Sequence, residues 1–380
     1  MRIAFHTPLN LYDDDGVSGD RRMARQLVAA LRSLGHVVEP VKAGRGYLAD
    51  SDATALARLE ADAAGLREHL LTSWRDGAAE PPDLWFTYHN YYRAPDLLGP
   101  EIAAALGIPY VTAEASDAAQ RAQGEWARHT ALVRHGLEAA DTHFFFTDRD
   151  RQGLEPWRQE GTALLPLPPF VAFDRGPPRH IARSGAPRLV TIAMMREGTK
   201  LNSYLALARI LERIRDEDWS LSVIGDGRKR GEIERAFAGL PAGRIAWLGL
   251  LDRERALAEL AAHDVFVWPG MREAYGLVYL EAQATGLPVV AFDSGGVSTT
   301  VEAGKTALLV PEGDEAAFAA TLSALLRDGA GRAAMGAQAR RFVLTERTTE
   351  RAAERLAAGL VIACRNRSLK RRAATGREAP

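Results

Sequence analysis

Two glutamates eight positions apart, Glu273 and Glu281, flank Gly276 in the stretch MREAYGLVYLEAQATGLPVV (Met271–Val290). The stretch follows the apolar run DVFVWPG, which ends at Gly270. A parallel strand leading through a loop into a helix sets the helix N-terminus at the carboxyl edge of the sheet, where ligands bind. First-turn amides from about Tyr275 to Val278 would have no carbonyl partner there, a ready site for an anion. Gly276 lets the backbone approach a phosphate closely, with Leu277 and Val278 beside it. Glu273 falls in the loop next to that site, and Glu281 falls inside the helix. A carboxylate is repelled by a diphosphate, so the pair needs another purpose. Carboxylates accept hydrogen bonds from sugar hydroxyls and stabilise positive charge developing at an anomeric carbon. Two of them around a nucleotide diphosphate fit one sugar on each side, the ribose and the transferred hexose. The plainer alternative makes Glu273 a partner of the helix dipole and Glu281 a surface glutamate.

Those residues need a sheet and helices to hold them. A chain of 380 residues exceeds what one core usually serves, so two domains are expected. Apolar residues at 47% and charged residues at 26% are ordinary for a globular protein, and the net charge of -1 argues for no nucleic acid partner. The single cysteine, Cys364, excludes an intrachain disulfide and a cysteine-built metal site. No uncharged apolar run approaches the ~18 residues of a membrane span, and MRIAFHT reads as a first strand rather than a signal peptide. A cytoplasmic protein is the expectation.

Short apolar strands alternate with helical stretches, the pattern of a parallel α/β sheet. In the first half, strands are expected near Arg2–Thr7, Val37–Val41, Leu84–Tyr88, Tyr110–Glu114, Thr142–Thr147 and Ala163–Leu167. Helices are expected at Ser18–Ser33, Asp52–Arg75, Pro100–Leu106 and Ala118–Glu138. The pattern lapses in PLPPFVAFDRGPPRHIARSGAP and restarts at Arg188. The expected architecture is two doubly wound Rossmann-like domains facing a cleft: residues 1–170, a linker at 171–187, and residues 188–345. Residues 346–380 then hold a helix to about Cys364, which can cross back to the N-terminal domain, and a basic tail, RNRSLKRRAATGR. That tail reads as a solvated end or as a contact for anionic lipid headgroups at a membrane surface.

Other candidate chemistry is thin. GDGRKRG has its third glycine one residue late for a dinucleotide loop. The nine histidines are scattered with no HExxH, so no metal is expected. No GxSxG elbow occurs. His89, in FTYHNYYRAPD, ends a strand with Asn90, Tyr91 and Tyr92 beside it, and suits either structural use or contact with an acceptor.

Glu273-x7-Glu281, within AYGLVYLEAQATGLPVVAFDSGG, resembles the E-x7-E signature of retaining glycosyltransferases of the GT-B fold, especially the family-4 group. MREGTK after LVTIA is similar to that family's basic loop, in which an arginine and a lysine clamp the donor diphosphate; here they are Arg196 and Lys200. VIGDG, WLGLLDRERALAELAAHDVFVWPG and GGVSTTVEAGKTALLVPEGD extend the resemblance over nearly all of Arg188–Asp314. In the first half GVSGDRRMARQLVAALRSLGH resembles the family's glycine loop, with Gly19 approaching the donor phosphate or the acceptor. The resemblance implies transfer of a sugar from a UDP- or GDP-linked donor, with retention and without a metal or other cofactor. The acceptor would be a glycan, a lipid or a small molecule. It implies that Arg196 and Lys200 neutralise the leaving diphosphate, Glu273 orients the transferred sugar, Glu281 holds the ribose, and backbone groups at Leu250 and Leu251 contact the base. Two departures stand out. Glu114 occupies the place, close to the donor sugar, where the family often has a histidine, and Thr299 stands where a glutamate usually follows Gly295–Gly296. A catalytically silent binding subunit and a nucleotide-sugar epimerase are the rivals; the intact Arg196, Lys200, Glu273 and Glu281 set favours the transferase.

Overall fold

A computed structural model describes residues 1–13, 18–173, 175–181 and 184–374. Gly16 and Val17 of the first glycine loop and the end of the basic tail, 375–377, lie outside the described residues. The chain divides into two units, Met1–Pro168 together with the segment from Thr349, and Pro169–Thr348.

In the first unit the order is β1 (Arg2–His6), α1 (Gly19–Ser33), β2 (Val37–Pro40), α2 (Ala53–Arg75), β3 (Leu84–Tyr88) and α3 (Gly99–Leu106). It continues with β4 (Tyr110–Ala113), α4 (Ala127–Ala139), β5 (Thr142–Phe145), α5 (Asp148–Leu154) and β6 (Ala163–Pro166). All six strands are parallel, in the order β2-β1-β3-β4-β5-β6. The strand LWFTY is buried at every position, as expected of a central strand covered on both faces.

The second unit runs β7 (Arg188–Ile192), α6 (Thr199–Arg213), β8 (Ser220–Ile224), α7 (Arg230–Phe237), β9 (Ile245–Gly249) and α8 (Arg253–Ala261). Then follow β10 (Val265–Val267), α9 (Leu277–Thr285), β11 (Val289–Asp293), β12 (Ala307–Pro311), α10 (Glu315–Arg327) and α11 (Gly329–Glu346). Its sheet is also wholly parallel, in the order β12-β11-β10-β7-β8-β9.

The structure departs from the sequence expectations at three places. The helix expected over Ala118–Glu138 is broken: two single 3₁₀ turns, Ala119–Arg121 and Gly124–Trp126, precede α4. Gly124 has φ 74 and Trp126 is buried, so a left-handed residue and a buried ring interrupt the helical path. The stretch expected as a linker is sewn to the second unit. There Val171 N donates to Arg347 O at 2.9 Å, His180 N to Thr285 O at 2.7 Å, and Arg340 Nη2 to Pro177 O at 3.1 Å.

The third departure is the last helix. α12 (Thr349–Ala374) packs in the first unit and runs well past Cys364. Its basic residues explain the extension. Asp141 is fully buried, and its carboxylate accepts from Tyr110 N at 2.9 Å and from Arg367 Nε at 3.0 Å, with Lys370 Nζ at 3.1 Å. Asn366 Nδ2 donates to Asp141 O at 3.0 Å. Two cations of the expected tail are therefore committed to one buried carboxylate and not to solvent or lipid. Removing one member of a buried pair leaves the others uncompensated, typically at about 3–5 kcal/mol. Asp141→Ala should lower the urea midpoint of unfolding accordingly; a variant as stable as wild type would show that α12 docks without this carboxylate.

Candidate functional site

In the second sheet the strand order reverses between β7 and β10. Ligands of open parallel sheets bind beyond the carboxyl ends of the strands at such a point. The loop after β7 carries Arg196 and enters α6, where Lys200 is the second residue. The loop after β10 carries Glu273 and enters α9. Seventy-three positions apart, these two side chains meet: Lys200 Nζ lies 2.7 Å from Glu273 Oε1 and 2.5 Å from Oε2. The ammonium also sits 5.7 Å from the centre of the Trp268 ring. Trp268 O accepts from the Tyr279 hydroxyl at 3.3 Å. Burial pushes the Tyr279 phenol well up, with the Glu273 charge adding to the shift, so it remains a donor.

The loop bearing Glu273 is fixed from several sides. Met271 N donates to Ser203 Oγ at 3.0 Å, Arg272 N to Ser294 Oγ at 2.6 Å, and Glu273 N to Gly270 O at 3.1 Å. Ser294 is held in turn by Glu312, at 2.5 Å. Gly296 N returns to Glu273 O at 2.9 Å. A Cβ at Gly295, where φ is +60, would stand 2.0 Å from that same Glu273 O, so only glycine passes there.

Gly276 caps α9 with φ 78, and a Cβ there would lie 2.7 Å from the Tyr279 ring and 3.1 Å from Glu273 Cγ. The helix begins at Leu277, and Tyr279 N already bonds Gly276 O at 3.1 Å. The expected donors from Tyr275 to Val278 thus narrow to Leu277 and Val278, the first two helical amides, which no helical carbonyl precedes. Buried Tyr275 belongs to the loop before the cap.

Glu281 is on α9, with a side chain only 13% exposed, and its Oε1 lies 3.4 Å from Arg253 Nε. Arg253 opens α8, donates to Ala172 O, and covers the Phe173 ring at 5.2 Å. Sequence reasoning missed Arg253; it stands two residues after Leu251 in LLDRERALAEL, where an arginine among other charges gives no signal. Leu251 itself packs half-buried on the core of this unit. Arg196 is exposed, and among the described residues its side chain has no hydrogen bond or ion pair; its carbonyl accepts from Leu201 N at 3.1 Å. Thr299 turns its hydroxyl onto Gly296 O at 2.6 Å. Among the described residues no three His, Cys, Asp or Glu side chains are grouped to hold a metal ion.

Residues 186–328 match the family model described as glycosyl transferases group 1. That span contains β7 through α10, and with them Lys200, Glu273 and Glu281. This segment belongs to the glycosyl transferases group 1 family.

The chain is 32% identical over 231 residues to the GDP-mannose-dependent alpha-(1-6)-phosphatidylinositol monomannoside mannosyltransferase of Mycolicibacterium smegmatis, covering 57% of this chain and 60% of that one. It is 34% identical over 241 residues to the D-inositol 3-phosphate glycosyltransferase of Kineococcus radiotolerans, covering 54% and 53%. The chain spans between 24% and 60% of the length of the first curated relatives it matches. Among solved structures, sucrose-phosphate synthase from Thermosynechococcus elongatus superposes with a TM-score of 0.70 at 18% identity, covering 94% of this chain and 97% of that one. The chain shares the GT-B fold with that structure.

The remaining expected site residues lie outside the group 1 segment, in the first unit. Gly19 opens α1, and among the described residues nothing beyond its chain neighbours and its own helix lies within 4 Å of where its Cβ would be. His89 and Glu114 follow β3 and β4, both with left-handed backbone, φ 64 and φ 52. His89 Nε2 stands 3.8 Å from Asp20 Oδ1 and 3.8 Å from Glu114 Oε2, beyond hydrogen-bond reach of either. The Tyr88 hydroxyl donates to Glu114 Oε2 at 2.9 Å. Sequence reasoning missed Asp20, Tyr88 and Asp150 as members of this cluster. His143, on β5, is structural: it is buried between Thr112 Oγ1 at 2.6 Å and Leu137 O at 3.1 Å, and burial pushes it down to about 4.

Burial pushes the Glu114 carboxyl up to about 8; the His89 charge draws it down, while Asp20 and Asp150 push it further up. Burial opposes a charge on His89, but Glu114 and Asp20 outweigh it and hold the imidazole above its ordinary value. Both groups therefore bind protons more tightly folded than unfolded. Their contribution to stability is complete at low pH and fades as pH rises through the folded values. Stability should fall between roughly pH 5 and 8 on this account, and Glu114→Gln should flatten that fall. Urea midpoints measured across the range decide it; an unchanged slope in the variant would assign the pH dependence elsewhere.

Proposed function

We propose that the protein transfers a sugar from a UDP- or GDP-linked donor to a hydroxyl-bearing glycan, lipid or small molecule, with retention of anomeric configuration. The observation that carries this reading is the meeting of Lys200 and Glu273 beside the first amides of α9, inside the group 1 segment. Departure of a nucleoside diphosphate builds negative charge on the leaving oxygen. Lys200, Arg196 and the amides of Leu277 and Val278 meet that charge, and the macrodipole of α9 adds to it. An ammonium has three donors, so Lys200 can keep its carboxylate while reaching a phosphate oxygen. Glu273 is thereby held where positive charge develops at the anomeric carbon. Glu281, oriented by Arg253, binds the ribose.

Cations and a helix end already face the diphosphate, so a divalent metal is not required in this reading. The name of the mycobacterial relative, which specifies GDP-mannose, supports a nucleotide-sugar donor. A cytoplasmic setting fits such a donor and the single cysteine.

Purified protein incubated with a panel of UDP- and GDP-sugars in excess chelator should release nucleoside diphosphate slowly, since transferases leak to water. Failure to release it from any donor, or release that requires added Mg²⁺ or Mn²⁺, contradicts the reading. Removing a charge-assisted contact to a bound diphosphate typically costs about 2–4 kcal/mol. Arg196→Ala and Lys200→Ala should each weaken calorimetric binding of the diphosphate to that extent without unfolding the protein, and wild-type affinity in both would remove the clamp.

A further inference from the structure

In the transferase reading the diphosphate meets the opening end of α9, but a helix of nine residues is placed by both of its ends. At the closing end every one of the last four carbonyls is met. Ala282 O accepts from Leu287 N at 3.1 Å and from the Thr285 hydroxyl at 2.7 Å, and Gln283 O accepts from Gly286 N at 2.9 Å. The final two carbonyls are those a helix end leaves without an internal partner. Thr285 O accepts from His180 N at 2.7 Å, and Ala284 O accepts from Arg340 Nη1.

Arg340 does more than cap. From α11 it also donates through Nη1 to Pro178 O at 3.2 Å and through Nη2 to Pro177 O at 3.1 Å, and among the described residues no carboxylate pairs with it. Burial, and after it the Arg179 charge, hold the guanidinium below its ordinary value. Three carbonyls and the negative end of the α9 dipole offset that. The same crossing segment serves α8. His180 Nδ1 donates to the carbonyl of Ala261, the last residue of α8, at 3.3 Å, and Ala172 O accepts from Arg253, the first. The segment thus runs from the opening end of α8 to the closing ends of both helices that carry Glu281 and its partner Arg253. Gly336 of α11 removes the remaining slack, because a Cβ there would stand 2.1 Å from Gly286 O. A nine-residue helix is about 13 Å long and nearly straight, so a shift at one end reaches Leu277, Val278 and Glu281 at the other.

We propose that Arg340 is a positioning residue for the donor site: it ties the crossing segment to the closing end of α9 and so sets where Leu277, Val278 and Glu281 meet the nucleoside diphosphate. The inference rests on the transferase reading above.

The fold supplies a matched control. Arg332, also half-buried on α11, donates through Nη1 to Leu325 O at 2.8 Å and to Leu326 O, at the closing end of α10. That helix carries none of the expected site residues. R340Q and R332Q therefore remove the same kind of bond from two helix ends, only one of which leads to the site. Urea midpoints are measured for both, and UDP and GDP binding is followed by calorimetry at a temperature where circular dichroism shows each folded. Both variants should lose stability. R340Q should bind the better of the two nucleotides roughly fivefold or more weakly than wild type, with the KM of donor hydrolysis rising in step, while R332Q stays within about twofold. R340K, which keeps the charge at the helix end without the fork, should fall between wild type and R340Q, and it replaces R340Q in the comparison if R340Q does not fold. Wild-type affinity in the Arg340 variant, or an equal loss in R332Q, overturns the proposal. The unmodified protein separates this result from the reading beneath it. If it binds UDP or GDP and hydrolyses a donor while the Arg340 variant matches it, the positioning alone is wrong. If it does neither, the transferase reading falls and this inference falls with it.

Discussion

The contact between Lys200 and Glu273 depends on a loop that has almost no freedom. Glu273 O is gripped by Gly296 N, and Gly295 passes so close that a single methyl would collide with it. On the other side Gly276 turns the chain into α9 against the Tyr279 ring. Between those two glycines the carboxylate has one course, toward the start of α6. The lysine is carried there by β7, the strand that pairs with β10. Sheet order, loop crowding and ion pair are therefore one arrangement. A free carboxylate at a helix N-terminus would oppose an incoming diphosphate, whereas one already neutralised by an ammonium leaves the helix amides available to it.

The strands and their alternation with helices were legible because the central strands are short apolar runs covered on both faces, as β3, β4 and β10 are. β3 falls where the pattern put it, and the other strands of the first unit end one or two residues earlier than expected. The position of Gly276 at a helix mouth was legible too, from a strand-like run followed by a glycine and an apolar helix. What the sequence could not show was which charges would be neighbours. Lys200 and Glu273 were each given a ligand to hold, and nothing local says that they hold one another. Arg253 was invisible for the same reason, since its partner Glu281 lies on another helix. The tail misled because its cations look solvated until Asp141, far away in sequence, comes to lie beneath them. Ala118–Glu138 misled because helical composition continues across Gly124 and a buried tryptophan.

The two units apply the same device to different chemistry. In each, the reversal of strand order brings the ends of two adjacent strands together: β7 with β10, and β1 with β3. In the second unit that place gathers cations, one carboxylate and helix amides, a set suited to a diphosphate. In the first it gathers acids around His89. Glu114, standing where the resembling family often has a histidine, takes its place in that first cluster with its proton held tightly by burial. The histidine of this cluster is supplied instead by the end of β3.

Calorimetry of nucleoside diphosphate binding to Glu273→Gln and Glu281→Gln tests the central claim most directly. If Glu281 holds the ribose, its substitution should weaken the diphosphate, which carries that ribose. If Glu273 acts on the transferred sugar and only orders Lys200, its substitution should leave diphosphate binding nearly unchanged while lowering donor turnover. Equal losses of diphosphate affinity in both variants, or no loss in either, would contradict the assignment of the α9 mouth.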